Sequence, residues 1–328
     1  MGIKILGTGS YVPEQTVTND DFSKFIETND EWIKTRTGIS ERRISGWEPT
    51  WYMGLKAAEQ AIEAAGIKPE EIGLIIDSTV TSDFFTPSTA CIIQDKLGAK
   101  NAGAFDVNAA CTGFVCALDT ARCYLEANES LKYVLVVSNE NLSRIVDYDD
   151  RSTCILFGDG AAAAVVTRSS GLYSSHFASD GSGAKYLYAG NANTVERFKL
   201  DSDFTDEFPD KDTKKLYQDG KAVYKFATHA MPEAFRKAAE KIGITADEID
   251  WFVPHQANIR IIESAAKKLK VSMDKFIITL DHYGNTSSAS IPLALDEAIR
   301  KGMIKSGQTL ALIGFGAGLT YGGIILEY

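Results

Sequence analysis

The sequence predicts an α/β protein in which helices cover the sheets on both faces. Short apolar runs typical of buried strands recur along the chain, and segments with the 3.6-residue period of amphipathic helices lie between them. This alternation favours parallel strands joined by helices. With 328 residues, 45% of them hydrophobic, the chain is long enough for one large unit or two fused domains.

Six runs are predicted to be strands, and five periodic segments are predicted to be helices. The strands are 72–76, 133–137, 161–166, 251–253, 309–313 and 323–326. The helices are 53–65, 112–126, 224–242, 259–269 and 291–301. The polar and acidic stretch 200–218 lacks periodicity, so we expect an exposed excursion there.

The two halves of the chain show the same order of features. Each has a strand, a motif with a chemically active residue, a helix, and a Gly-rich loop before a final pair of strands. FGDGAAAAVV at 157–166 corresponds in this way to GFGAGLTYGGIIL at 314–326. The pattern indicates an internal duplication, with a chance similarity as the alternative.

Composition narrows the classes of function. A net charge of −10 argues against a broad nucleic-acid-binding surface, because phosphate contacts need clustered Lys and Arg. The five cysteines have the spacing of neither a zinc site nor a disulfide framework, which favours reduced thiols and no metal site. The N-terminal MGIKILGTGS lacks the features of a signal peptide, and no apolar run approaches ~18 residues. We therefore expect a soluble, cytoplasmic protein.

Cys111 is the candidate nucleophile. In DVNAACTGFVCAL (106–118) a strand-like run gives way at Thr112 to a helical pattern, which places Cys111 at a helix N-terminus. The partial positive charge and free N–H groups of such a terminus lower the pKa of a thiol and favour the thiolate. The alternative is a buried structural cysteine, which is our interpretation of the other four: Cys91, Cys116, Cys123 and Cys154.

His255 and Asn285 are the candidate partners of this thiol. His255 follows the apolar strand WFVP and precedes a helix, a junction at which catalytic side chains often face a cleft. Asn285 lies in HYGNTSSASIP, a run of small polar residues before a helix with a proline in its first turn. Each residue taken alone could be structural. Together, Cys, His and Asn can carry out thioester chemistry.

Five motifs in this order resemble those of β-ketoacyl-acyl-carrier-protein synthase III, the priming condensing enzymes of the thiolase superfamily. They are DVNAACTGF, FGDGAAAAV, HQANIRI, YGNTSSASIPLAL and GFGAGLTYG, and the similarity covers nearly the whole chain. The resemblance implies a thiolase-like five-layered αβαβα fold of two duplicated halves, 1–170 with the nucleophilic Cys and 171–328 with the His and Asn. It also implies a homodimer with a tunnel for the pantetheine arm.

The reaction implied by the resemblance is a decarboxylating condensation of acyl-coenzyme A with malonyl-acyl carrier protein, which initiates fatty acid or related polyketide synthesis. Cys111 would carry the acyl group, and His255 and Asn285 would hold the enolate formed when carbon dioxide leaves. The backbone N–H groups of Cys111 and Ala317 would hold a second oxyanion. Ala317 stands where relatives often have Gly. Acyl-coenzyme A is a substrate, so no cofactor is implied.

The same resemblance implies two groups of binding residues. An indole and a guanidinium can stack on adenine, and Arg can bind phosphate, whereas a basic patch suits an acidic carrier protein. Each residue could instead be an ordinary surface or half-buried side chain. The coenzyme A group is Thr28, Trp32, Arg36, Arg151 and Asn258, and the carrier-protein group is Lys225, Arg260, Lys267 and Lys268.

Two departures from the family pattern affect the acyl donor. Thr86 precedes Pro87 where relatives have Phe or another blocking residue, a position contributed across their dimer interface, and a smaller side chain in the acyl pocket would admit longer or branched starters. Lys221 replaces an Asn that some relatives have near the pantetheine, and the 200–218 excursion precedes it. The starter and the carrier protein are left open.

Three alternatives compete with this hypothesis. One is a superfamily acyltransferase of secondary metabolism, which Asn285 argues against because that residue serves decarboxylation. Another is a non-catalytic partner subunit, which Cys111 argues against. The third is a dinucleotide-binding module at GTGS (7–10), which lacks the third glycine and the acidic partner. Elongating synthases have His in place of Asn, and thiolases have a second cysteine near the C-terminus. Asn285 and the absence of a cysteine after Cys154 favour the priming branch.

Overall fold

A computed structural model describes residues 2–190, 208 and 215–328. Its strands are β1 (Gly2–Tyr11), β2 (Thr16–Thr18), β3 (Glu41–Arg43), β4 (Ile72–Ser78), β5 (Gly103–Val107), β6 (Tyr133–Glu140), β7 (Gly160–Ser169), β8 (Tyr173–Ser179), β9 (Leu187–Ala189), β10 (Leu216–Gln218), β11 (Trp251–Pro254), β12 (Thr309–Gly316) and β13 (Thr320–Glu327). Its helices are α1 (Asn19–Phe22), α2 (Asp30–Thr37), α3 (Thr50–Ala65), α4 (Thr89–Leu97), α5 (Gly113–Ala127), α6 (Arg151–Cys154), α7 (Gly220–Glu240), α8 (Ile259–Leu269), α9 (Leu280–Tyr283) and α10 (Ser290–Arg300).

Two mixed sheets form the centre of the molecule. The first has the strand order β1-β7-β6-β4-β5, and the second has the order β11-β12-β13-β8. Strand β4 is parallel to β5 and β6, and β11 is parallel to β12, but β7 and β13 are antiparallel to their neighbours. The expectation of parallel strands was therefore wrong for β7 and β13. Only 317–319 separate β12 from β13, and so short a connection permits antiparallel pairing alone.

Helices and sheets alternate in five layers. Helices α3 and α4 pack on one face of the first sheet, where Met53 and Ile93 meet Val137. Helices α5 and α10 fill the space between the sheets. Helices α7 and α8 cover the outer face of the second sheet. Because the central strands are buried on both faces of their sheets, their sequences are continuous apolar runs. The predicted αβαβα layering is confirmed.

The predicted elements are all present, with one to four residues added or removed at most ends. The strands of the first sheet come from residues 2–169, and those of the second sheet come from residues 173–327. The division into two duplicated halves, 1–170 and 171–328, stays a prediction. In the 200–218 excursion, the last three residues form β10, a half-buried to exposed strand that pairs with β9. Most of the excursion, 200–207 and 209–214, lies outside the described residues. No described helix has the length and apolar content needed to span a bilayer.

Candidate active site

A cavity of about 1010 Å³ brings together most of the residues predicted to carry the chemistry. Cys111, His255 and Asn285 line it together with Ala317 and Thr86. These residues come from separate segments of both halves of the chain. The convergence follows from the packing of the two sheets around α5 and α10, which brings the ends of β5, β11 and β12 to one region.

Cys111 sits in a single 3-10 turn, Ala110–Thr112, directly before α5 begins at Gly113. The predicted position at a helix N-terminus is therefore correct. Ala110 has φ 46°, a left-handed conformation that is uncommon for a residue with a side chain. Such local strain persists when the surrounding structure demands it, and it is frequent at functional sites. The turn presents the Cys111 side chain to the cavity.

The protonation state of Cys111 differs from the sequence prediction. Burial raises the pKa of the Cys111 thiol to about 12, and a hydrogen bond with Ser287 opposes this rise only in part. The predicted lowering of the pKa was wrong, because desolvation in the buried turn penalises the thiolate. Burial thus favours the neutral thiol at pH 7, and the sulfur loses its proton as it becomes acylated.

His255 follows β11 and is held by its backbone and its ring. Its N–H donates to the Ile313 carbonyl oxygen at 2.8 Å, and its ring packs edge-on against Phe315 at a centroid distance of 5.1 Å. Burial lowers the pKa of His255 to about 3. The imidazole is therefore neutral at pH 7 and carries one N–H.

Ser290, the first residue of α10, is the hydrogen-bond partner of the His255 ring. Its Oγ lies 2.7 Å from His255 Nδ1 and accepts the backbone N–H of Gln256 at 3.3 Å. When the Ser290 hydroxyl donates to Nδ1, the ring proton lies on Nε2, which is then a hydrogen-bond donor. Sequence analysis did not single out Ser290, although SASIP marks the start of the helix.

Asn285 is fixed by its main chain and by its side-chain oxygen. Its N–H donates to the Leu156 carbonyl oxygen at 2.9 Å, and its carbonyl accepts the Gly158 N–H at 3.0 Å. Its Oδ1 accepts the Ser287 N–H at 2.9 Å. Occupation of the oxygen leaves the amide Nδ2–H₂ as the donor available to a ligand. His255 and Asn285 thus offer two neutral donors to the cavity.

The backbone at the end of β12, just before Ala317, packs directly against Cys111. Gly316 ends β12 so close to Cys111 that an added Cβ would lie 2.7 Å from the Cys111 nitrogen and 3.0 Å from its Cβ. A side chain at 316 would therefore push the thiol away. The close approach explains why a glycine precedes Ala317, whose own position tolerates a methyl group.

The predicted coenzyme A residues form a surface group of their own. The Arg151 guanidinium lies 4.8 Å from the Trp32 ring centroid, and Arg36 lies 6.0 Å from it. Asn258 caps α8 through the Arg260 N–H at 2.9 Å and donates to the Arg36 carbonyl oxygen at 3.0 Å. Of this group, Asn258 also lines the cavity, so it joins the two regions. The remaining member, Thr28, has a buried hydroxyl without a partner among the described residues.

The predicted carrier-protein residues lie on α7 and α8. Lys268 donates to the Thr228 carbonyl oxygen at 2.7 Å, and the Thr228 hydroxyl donates to the Lys225 carbonyl oxygen at 3.1 Å. Arg260 donates to the Thr35 carbonyl oxygen of α2 at 2.8 Å. Lys267 is in the last turn of α8. The basic residues therefore share a surface built by two neighbouring helices.

Two other sequence expectations concern the cavity and metals. Lys221 lies in the first turn of α7, where its N–H donates to Asp219 at 3.1 Å, and it is not part of the cavity lining. In the part of the chain that the structure describes, no group of three or more His, Cys, Asp or Glu side chains is arranged to hold a metal ion.

Sequence profiles of one family match two parts of the chain. The profile described as 3-oxoacyl-[acyl-carrier-protein (ACP)] synthase III matches residues 105–181, and the profile of its C-terminal part matches residues 239–328. The β-ketoacyl-[acyl-carrier-protein] synthase III of Clostridium acetobutylicum is 50% identical over 99% of this chain and 98% of that protein. The protein of the same name from Clostridium novyi is 48% identical over 99% of both chains.

Solved structures show the same fold. The crystal structure of 3-oxoacyl-[acyl-carrier-protein] synthase III from Aquifex aeolicus superposes with a TM-score of 0.91 at 42% identity, covering 100% of both chains. The priming β-ketosynthase from the R1128 polyketide biosynthetic pathway superposes with a TM-score of 0.89 at 39% identity, covering 99% of this chain and 96% of that one. The thiolase-like fold class predicted from the sequence is confirmed.

Proposed function

This chain belongs to the 3-oxoacyl-[acyl-carrier-protein] synthase III family, and from that premise we propose how its residues carry out the condensation. It is an acyltransferase of the condensing type that initiates fatty acid synthesis. The observation that carries the mechanism is the meeting of the Cys111 thiol with two neutral donors, His255 and Asn285, in one cavity.

In the first step, the Cys111 sulfur attacks the thioester carbonyl of acyl-coenzyme A. The Cys111 S–H bond and the thioester S–C bond break, a new S–C bond forms on Cys111, and coenzyme A leaves as a thiol that carries the proton lost by Cys111. The oxyanion formed during the attack is held by the backbone N–H groups of Cys111 and Ala317, a role supported by the close approach of their segments. The product of this step is an acyl-Cys111 thioester.

In the second step, malonyl-acyl carrier protein loses carbon dioxide. The electron pair of the broken C–C bond forms an enolate, whose oxygen accepts the Nε2–H of His255 and the Nδ2–H of Asn285. A neutral imidazole suits this role because it donates a hydrogen bond without passing on its proton. The enolate carbon then attacks the acyl-Cys111 carbonyl and yields the β-ketoacyl product.

Ser290→Ala should slow decarboxylation because the imidazole loses the partner that keeps the proton on Nε2. We expect a decrease of roughly 10-fold, the effect of one buried hydrogen bond. The measurement is the rate of malonyl-acyl carrier protein turnover, with ¹⁵N NMR shifts of His255 reporting the tautomer. Ser290→Thr retains a hydroxyl and is the matched control. An unchanged tautomer in Ser290→Ala would contradict the assignment.

Coenzyme A is proposed to bind at the surface formed by the predicted coenzyme A residues, which include Trp32, Arg36 and Arg151. The Arg151 guanidinium lies 4.8 Å from the centroid of the Trp32 indole, and an adenine ring can join this stack of planar groups. Arg36, which lies 6.0 Å from the Trp32 ring centroid, would bind a phosphate group, and the Thr28 hydroxyl has no partner among the described residues. Asn258, which reaches both regions, would guide the pantetheine arm into the cavity.

The acyl carrier protein is proposed to dock on the basic surface of α7 and α8. The overall charge of −10 is unfavourable for an acidic partner, so a local cluster has to supply the attraction. The cluster consists of Lys225, Arg260, Lys267 and Lys268. We further propose a homodimer and a cytoplasmic location.

The starter acyl group is proposed to be longer or branched because Thr86 lines the cavity. It stands beside Phe84 and Phe85, and apolar side chains such as Leu142 and Phe157 extend the lining. A threonine leaves more space than a phenylalanine would. A strong preference for acetyl-coenzyme A over donors of four to eight carbons would contradict this proposal.

Two other functions remain alternatives to fatty acid priming. The priming β-ketosynthase of the R1128 polyketide pathway has the same fold at 39% identity, so a polyketide starter role is the first alternative. An acyltransferase that uses a non-malonyl acceptor is the second. The donors positioned on His255 and Asn285 favour decarboxylation over that second alternative.

The proposed function is tested by measuring intact protein mass after incubation with a panel of acyl-coenzyme A donors. We expect an increase of one acyl group in the wild-type protein and none in Cys111→Ala. The relative rates rank the starters, and addition of malonyl-acyl carrier protein should discharge the acyl group into product. Absence of acylation by every donor in a folded sample would contradict the acyl-Cys111 intermediate from coenzyme A.

A further inference from the structure

Arg42 is a fully buried cation that the mechanism above does not use. It is the central residue of β3, and none of its surface is exposed. Burial lowers the pKa of its guanidinium to about 10, so the group is still charged at pH 7. A buried charge is costly unless hydrogen bonds compensate it, and removal of such a group disturbs the segments that it holds.

The Arg42 guanidinium joins three separate segments through neutral oxygens. Its Nη1 donates to the Val17 carbonyl oxygen at 3.2 Å and to Asn19 Oδ1 at 2.9 Å, and its Nη2 donates to the Ile155 carbonyl oxygen at 2.6 Å. Its Cζ lies 4.5 Å from the centroid of the Phe22 ring. A planar guanidinium can bind acceptors in several fixed directions at once, which the ammonium of a lysine cannot do.

The segment that begins at Ile155 is also the one that holds Asn285. The next residue, Leu156, accepts the Asn285 N–H at 2.9 Å through its carbonyl oxygen. Gly158 donates its N–H to the Asn285 carbonyl oxygen at 3.0 Å. The hydrogen bond from Arg42 to Ile155 therefore lies one residue away from the main-chain support of Asn285.

The aliphatic stem of Arg42 packs against the same support. A Cβ added to Gly158 would lie 3.1 Å from the Arg42 Cβ, and a Cβ added to Gly284 would lie 3.2 Å from it. Gly158 is a hydrogen-bond partner of Asn285, and Gly284 directly precedes Asn285. Arg42 thus contacts the backbone on both sides of the Asn285 main chain.

We propose that Arg42 is a positioning residue for Asn285, which sets the rate of decarboxylation by fixing the backbone from which the Asn285 amide reaches the enolate oxygen. This inference rests on the proposed function. Arg42 does not line the cavity, so its effect on the reaction is indirect. Acylation relies on the sulfur and backbone of Cys111, which are not part of the segments that Arg42 binds, and it should depend on Arg42 much less.

Arg42→Lys retains the charge but loses the planar guanidinium, so it should lower malonyl-acyl carrier protein turnover by about 10- to 100-fold. The turnover rate is divided by the number of sites that acyl-coenzyme A can acylate, counted by intact mass. This division removes the loss of folded protein that a merely structural role would cause. Unchanged turnover per site in Arg42→Lys would overturn the proposal.

Arg43→Lys is the matched control for this substitution. Arg43 is the next residue of the same strand, and its side chain donates to the carbonyl oxygens of Pro13 and Glu14 rather than to the segment that holds Asn285. It should retain the wild-type turnover per site. An equal loss in Arg43→Lys and Arg42→Lys would show a general effect of β3 and would overturn the proposal.

A double variant tests whether Arg42 acts through Asn285. In Asn285→Ala the amide donor is already absent, so adding Arg42→Lys should change the remaining decarboxylation by no more than about 2-fold. A general loosening of the fold would instead lower turnover by the same factor in both backgrounds. Equal losses in the wild-type and Asn285→Ala backgrounds would overturn the proposal.

Phe22→Leu carries the same test if Arg42→Lys does not fold. It removes the ring beside the guanidinium and keeps Arg42 itself, so it should lower turnover per site by about 2- to 5-fold, and only where Asn285 is present. The same loss in the Asn285→Ala background, or no loss in either background, would overturn the proposal. Failure of the wild-type protein to become acylated would refute the proposed function itself.

Discussion

Cys111→Ala should abolish condensation and leave part of the malonyl decarboxylation. The variant has no sulfur to carry the acyl group, and loss of a covalent nucleophile costs on the order of 10⁶-fold in rate. Decarboxylation depends on the donors of His255 and Asn285, which do not involve the thiol. The two activities should therefore separate in this single variant.

The measurement is β-ketoacyl product by mass spectrometry alongside loss of malonyl-acyl carrier protein. Cys116→Ala is the matched control, because Cys116 lies in α5, directly after the turn that carries Cys111, but is not among the residues that line the cavity. It should retain both activities. Loss of decarboxylation in Cys111→Ala, with the fold intact, would show that the thiol takes part in enolate formation and that the division of roles is wrong.

His255→Ala and Asn285→Ala should have the reverse effect. Each removes one of two donors to the enolate oxygen, and loss of one such donor typically costs about 10²- to 10³-fold. Acylation of Cys111 should persist at least in part, since both variants keep the sulfur that carries the acyl group. Malonyl turnover and intact mass, measured on the same samples, report the two steps separately.

Two controls sharpen this prediction. Asn285→Asp keeps an oxygen for the Ser287 N–H but loses the amide donor, so it separates the donor role from the support of the turn. His282→Ala removes a histidine that bonds Asp281 and Glu297 and does not line the cavity, so it should retain full activity. Unchanged malonyl turnover in both His255→Ala and Asn285→Ala would contradict the proposed enolate site.

The sequence was sufficient for the elements predicted from it, because their signals are local, but other elements, such as β8 and α4, were not predicted. The periodicity of 259–269 matches α8 residue for residue, and the apolar runs of the central strands follow from burial on both faces. Strand direction was not predictable in the same way, as β7 and β13 show. Direction depends on which strands become neighbours, and that is decided by packing across the whole chain.

For the site, the sequence determined the chemically active residues and their junctions, because Cys111, His255 and Asn285 each lie beside a recognisable element and motif. Only the tertiary structure decided their protonation and partners. Burial reverses the predicted pKa shift of Cys111, since desolvation depends on every segment around the thiol. The Ser288–Glu140 hydrogen bond joins residues 148 positions apart, and no local pattern encodes such a contact. It forms only when the two sheets close around the helices between them.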